Sequence, residues 1–117
     1  MILTFSAGLT VLAQISSLVN VFGEAAMNDF GYAVAVDSAG NIIVTGTTES
    51  FGAGLDDVFV TKYSPSKVQL WSVTWGGGGS DQGYSVAVDP TDNIMVAGQT
   101  YSFGARAKHP LIMTMND

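Results

Sequence analysis

Residues 31–53 read GYAVAVDSAGNIIVTGTTESFGA, and residues 83–105 read GYSVAVDPTDNIMVAGQTYSFGA. Fifteen of these 23 positions are identical at a fixed offset of 52, so one structural unit is written twice. The fold is therefore decided by what one unit makes. In the first copy Tyr32, Val34 and Val36 alternate with Ala33, Ala35 and Asp37, the period of a β-strand. The second face is small, which predicts a close neighbour. Residues 37–41 (DSAGN) then suit a type I turn with Gly40 in the left-handed position after it. In the second copy Pro90 has the fixed φ that such a turn accepts, and Asp92, which tolerates the left-handed region better than most residues, replaces Gly40. Residues 41–47 return as a second strand, apolar on both faces, as expected of a strand buried between two layers.

A loop at 48–56 leads to a third strand, Asp57–Tyr63, matched in the second copy by His109–Met115. Pro110 is admissible there because it stands at the strand's beginning. Pro65 and Ser66 mark a turn, and residues 68–75 form a fourth strand whose Trp71, Val73, Trp75 side is the more apolar. The glycines at 76–79 release the chain into the next copy. Four antiparallel strands in a unit of about 50 residues are the signature of a β-propeller blade, in a period range shared with kelch-like repeats. The expected fold is all-β, with about two blades in this chain. It divides into an uncharged segment at 1–23, a first repeat at 24–82 and an incomplete second repeat at 83–117.

Apolar residues make up 47% of the chain, charged residues 12%, and there are 14 glycines, a profile of short strands and tight turns rather than disorder. The net charge is −6, and the only basic side chains besides His109 are Lys62, Lys67, Arg106 and Lys108. Without a basic stripe, nucleic acid and anionic membrane surfaces are not expected partners. No cysteine is present, which removes disulfides, zinc–thiolate clusters and thiol nucleophiles. The segment 1–23 is long enough for an export or membrane segment. However, no Lys or Arg precedes its apolar run, and Ser6, Thr10, Gln14, Ser16, Ser17 and Asn20 interrupt it. Residues 18–23 (LVNVFG) share the shape of residues 71–76 (WSVTWG), so the favoured reading is the last strand of a preceding blade, and a membrane span is not favoured.

The pattern W-G-G-x-G-x-D-x-G-Y-x-x-A-V-D-x-x-x-N-I-x-V-x-G-x-T, at residues 75–100 and more loosely at 22–48, resembles the β-propeller repeat known as SBBP. That resemblance implies a blade, and a setting among bacterial surface and secreted proteins. It implies no catalytic residues, because the family has no common set. The chain departs from its own repeat at 106–109, where Arg-Ala-Lys-His stands in place of the Gly-Leu-Asp-Asp at 54–57.

A propeller ring takes about four to eight blades, and repeat units bury their apolar faces only against neighbours. Two units leave two faces to be covered. Three solutions are open: further blades in a longer protein, which is favoured, a head-to-tail ring of identical chains, or an open two-blade sandwich. In the ring, the amino-terminal strand of one subunit would complete the three-stranded blade of the next.

The recurring aspartates (Asp29 and Asp81, Asp37 and Asp89, with Asp56 and Asp57) are expected to bond backbone N–H groups in turns rather than to hold calcium. No metal or cofactor is expected. His109 is read as an ordinary loop residue, and no nucleophile or metal motif accompanies it, so no enzyme is expected. Tyr32, Tyr84, Phe51, Phe103, Trp71 and Trp75 could stack on sugar rings, and their recurrence at one offset is explained equally well by packing between blades. Tyr101 replaces Glu49 of the first copy and so stands outside the repeating core. Tyr101 and Trp75 are accordingly the candidate ligand-binding residues, for a glycan stacked on aromatic faces or for a protein. Asp56 and Asp57 correspond to Lys108 and His109, a contrast that suits head-to-tail docking or plain surface charge. The expected function is a structural or binding module at the cell surface or outside it, with a carbohydrate-binding ring as the alternative.

Overall fold

A computed structural model describes residues 2–4, 10–12, 23, 27–104 and 107–116. Two short strands, β1 (Ile2–Thr4) and β2 (Thr10–Leu12), pair antiparallel. The last strand of a preceding blade, expected at 18–23, falls almost wholly outside the described residues. Strands β3 (Asp29–Val36), β4 (Ile42–Thr48), β5 (Asp57–Tyr63) and β6 (Gln69–Trp75) form one antiparallel sheet in sequence order. Strands β7 (Asp81–Val88), β8 (Ile94–Thr100) and β9 (His109–Met115) form a three-stranded copy of it. These are two blades, one with four strands and one with three.

The strand registers fix which residues share a face. Val34 pairs with Val44 and Val36 with Ile42, so these four lie on one face of the first blade, called here its front. Ile43, Thr45, Val58, Val60, Trp71 and Trp75 lie on its back. The second blade repeats the front with Val86, Val88, Ile94 and Val96, continued onto β9 by Leu111, Met113 and Met115. The core joins the back of the first blade to the front of the second: Ile43, Val58 and Val60 meet Ile94, Val96 and Leu111, with Trp71, Trp75, Val86, Val88, Met113 and Met115 around them. Each such aliphatic side chain contributes about 1.5–3 kcal/mol when fully buried. The blades therefore stack front to back.

The Gly-Tyr pair at the start of each repeat has a backbone reason. The register slips between Gly31 and Ala33 in the first blade and between Gly83 and Ser85 in the second, a β-bulge at the same place in both. Tyr32 and Tyr84 are the extra residues, so simple alternation from residue 31 does not assign Tyr32 its face, and β3 begins two residues earlier, where Asp29 and Phe30 pair with Thr48 and Thr47. The bulge presses a carbonyl over the neighbouring strand, where a Cβ at Gly46 would lie 1.7 Å from the Phe30 oxygen and one at Gly98 1.8 Å from the Gln82 oxygen. The glycine of each Asn-Ile-x-Val-x-Gly run is thus demanded by the Gly-Tyr bulge beside it.

Both hairpins form as the sequence predicts. Gly40 has φ +82° and Asp92 φ +63°, and in each turn the Asp N–H donates to the Asn carbonyl four residues on, at 3.0 Å. Asp37 Oδ1 accepts from the Ala39 and Asn41 N–H groups at 2.9 Å, and Asp89 does the same with Thr91 and Asn93. These aspartates act on local backbone, as expected.

Candidate functional site

Chemically distinctive residues collect where the first blade hands the chain to the second. Asp57 opens β5, Asp81 opens β7, and the glycine linker at 76–79 runs beside both. A Cβ at Gly76 would lie 2.4 Å from Asp57 Oδ1 and 2.6 Å from Asp81 Oδ2, so only glycine fits between the two carboxylates. Asp81 is saturated with donors: Thr100 Oγ1 bonds Oδ1, while Ser102 Oγ at 2.5 Å and the Gly77 N–H at 3.0 Å bond Oδ2. Ser102 Oγ in turn accepts from the Gly77 and Gly79 N–H groups at 3.0 Å. Asp56 completes the knot, accepting from Ser80 Oγ at 2.6 Å and, through its carbonyl, from the Asp81 N–H at 2.7 Å.

The two central carboxylates titrate in opposite directions. Burial pushes Asp81 up, but the hydrogen bonds from Ser102, Thr100 and Gly77 outweigh it and hold Asp81 below the usual carboxylate range. Burial also pushes Asp57 up, and there it prevails, helped by the nearby charges of Asp81 and Asp56. Asp57 is only 2% exposed, and while its Oδ2 accepts from the Ala53 N–H at 2.5 Å, its buried Oδ1 has no hydrogen-bond partner among the described residues. Surface charge does not describe this residue. Among the described residues no three His, Cys, Asp or Glu side chains are grouped as metal ligands. The junction is a fastener of hydroxyls, amides and carboxylates.

A second polar contact joins the blades at the hairpins. The Ser38 N–H donates to Asp92 Oδ1 at 2.9 Å and its hydroxyl bonds Oδ2. Beside it a groove of about 320 Å³ is lined by Val36, Asp37, Ser38, Val88, Asp89, Pro90 and Asp92. Asp37 is held well below the usual carboxylate range, first by the buried ammonium of Lys62, whose Nζ lies 2.7 Å from Oδ2. Asp89 is lowered by its hydrogen bonds from Asn93.

The two predicted ligand residues flank the same linker. Trp75 is half-buried, its ring tilted against Phe103 with centroids 5.1 Å apart. That contact joins the end of β6 to the loop after β8, as blade packing requires. Tyr101 is exposed, and Lys108 Nζ sits 5.7 Å from its ring centroid. Tyr32 and Tyr84, the bulged pair, meet with centroids 5.4 Å apart. Sequence reading missed Ser102, Thr100 and Lys62. The signal for the first two was present, since Thr48 and Ser50 stand at the same offset and bond Asp29 in the same way. The Lys62 to Asp37 pair had none, because the second copy has Thr114 at the lysine's position.

Residues 22–52 match the family model of the SBBP beta-propeller repeat. No curated protein matches the chain. The match covers β3, β4 and the residues that flank them, and residues 83–105 repeat residues 31–53 at the offset of 52.

Proposed function

With an SBBP beta-propeller repeat as the premise, we propose that this chain is a non-catalytic scaffold: two consecutive blades of a propeller, completed by further blades and displayed at the cell surface or outside the cell. The observation that supports it is the unequal fate of equivalent positions. Val60, on the back of the first blade, is 1% exposed, whereas its counterpart Ile112 on the second is 80% exposed. On the front the order reverses, with Val88 half-buried and Val36 61% exposed. A blade pair has one finished interface and two unfinished ones, and nearest-neighbour contacts are what stabilise repeat proteins.

The test is to link two copies of the chain in tandem and compare thermal unfolding and dye binding to exposed apolar surface. A scaffold of blades is expected to unfold at a higher temperature and to bind less dye per repeat when linked. Unchanged unfolding and dye binding would contradict the reading.

A sugar-binding ring remains the second reading, favoured by one observation, the exposed ring of Tyr101 outside the repeating core. Retention on immobilised glycans that is lost in Tyr101→Ala would support it, and absence of retention would remove it.

A further inference from the structure

We infer that the joint between the two blades is a proton-operated latch: with Asp57 neutral the linker at 76–79 seats over Asp57 and Asp81, and with Asp57 ionised the linker lifts away. Both sides of this joint lie within the chain, so the latch goes beyond the scaffold reading and does not depend on what completes the propeller.

The linker is the part that can yield. Asp81 is fixed from three sides, by the Thr100 and Ser102 hydroxyls and the Gly77 N–H. Asp57 is fixed at Oδ2 by the Ala53 N–H. Both carboxylates are buried, at 2% exposure for Asp57 and 0% for Asp81, and neither has space to swing aside. Gly76 is wedged between them. On one side it meets Asp57 Oδ1, the oxygen with no hydrogen-bond partner among the described residues, and on the other Asp81 Oδ2. Farther along, the linker has room: nothing among the described residues lies within 4 Å of where a Cβ on Gly78 would stand. Four consecutive glycines also leave its backbone wide freedom. Its fastenings are the Gly77 and Gly79 N–H groups, both donating to Ser102 Oγ at 3.0 Å, with Gly77 shared to Asp81.

Charge supplies the force. The charged groups that face Asp57 are Asp81, at the start of β7, and Asp56, its neighbour in the chain, and both are acids. Asp29 lies one strand farther off, across Thr48, and Glu49 on the same loop is bonded to Asn28. Lys108 is placed over the Tyr101 ring. A protonated Asp57 is neutral and fits this burial. An ionised one sets an unhydrated oxygen against a second carboxylate, and lifting the linker admits the water that relieves both. Burial first, and then Asp81 and Asp56, raise the proton affinity of Asp57, so the change falls above the ordinary carboxylate range. Low pH closes the joint and higher pH loosens it. Movement of Gly76 also draws on Trp75 beside it, whose ring packs against Phe103 across the joint.

Amide hydrogen exchange tests the latch, read at single residues as protection from about pH 5 to about pH 9, together with the carboxyl carbon resonance of Asp57. In the wild type the Gly77 and Gly79 amides are expected to lose about tenfold or more of their protection, with the midpoint at which the Asp57 carbon titrates. The Asn93 amide, bonded to Asp89 at 2.9 Å in the hairpin, is expected to keep its protection. In Asp57→Asn the Gly77 and Gly79 amides are expected to stay protected throughout. Protection that is unchanged while Asp57 titrates overturns the latch, as does an Asp57 that is ionised over the whole range. A loss that persists in Asp57→Asn, or that Asn93 shares equally, overturns it too. Should that variant fail to fold, the wild type still decides, because separate midpoints for the linker amides and the Asp57 carbon contradict the latch.

Discussion

Asp57 and Asp81 converge on the Cα of Gly76 from two different blades, one carboxylate lacking a partner on its nearer oxygen and the other saturated with donors. Burial and neighbouring charge raise the proton affinity of Asp57, while the hydrogen bonds to Asp81 lower its own. Asp57 has a raised folded value, so its contribution to stability is fully present below the ordinary carboxylate range and is lost as pH rises through that raised value. Asp57→Asn, neutral at every pH, keeps an oxygen for the Ala53 N–H and points an amide donor toward Asp81. It is expected to match the wild type near pH 4 and exceed its stability by about 1 kcal/mol near pH 8. Denaturant melts at both pH values check this, and a variant less stable at the higher pH would contradict it.

Gly46 and Gly98 carry the bulged strands. Adding a methyl at either drives it into a backbone carbonyl, which cannot turn aside as a flexible side chain can. Gly46→Ala or Gly98→Ala is expected to destabilise by about 3 kcal/mol, at the upper end of overpacking costs. Gly78→Ala, with nothing among the described residues within 4 Å of the new carbon, serves as the control and is expected to change little.

The Lys62 to Asp37 pair works in the opposite pH direction from Asp57. Asp37 has a depressed folded value, so its stabilisation is present above the ordinary carboxylate range and is lost as pH falls below about 4. Lys62→Met leaves the Asp37 carboxylate buried without its ion partner and is expected to cost about 3 kcal/mol at neutral pH. Its loss of stability on acidification should be shallower than the wild type's. Equal acid slopes would mean that the pair does not govern the titration.

Asp92 has two duties, a left-handed backbone and the bonds from Ser38. Asp92→Asn keeps the conformation and an acceptor and is expected to cost under about 0.5 kcal/mol. Asp92→Ala loses both and is expected to cost about 2 kcal/mol. Asp92→Gly, which keeps only the conformation, should fall between them. Thermal unfolding of the three variants separates the duties.

Much of the fold was legible in the sequence because the repeat supplied its own control. Asp92 in place of Gly40 identified a left-handed position, and Pro110 marked a strand start. The bulge was not legible, because Tyr32 and Tyr84 fit simple alternation and only the register reveals them as extra residues. Nor was the burial of Asp57, since an acidic pair in a loop reads as solvated until a glycine linker from the next strand closes over it. For Trp75 the sequence allows both blade packing and stacking on a ligand, and its ring lies against Phe103 between the blades. Tyr101, the aromatic outside the repeat, faces solvent, as do Phe103 and Tyr84 in part.

The back of the first blade receives the front of the second. Proton–proton cross-relaxation between assigned side chains tests it most directly. Contacts are expected between the Tyr32 and Tyr84 rings, between Trp75 and Phe103, and between the methyls of Val60 and those of Val96 or Leu111. Their absence, with Val60 instead contacting Ile112 or Met95, would mean that the blades meet back to back rather than front to back.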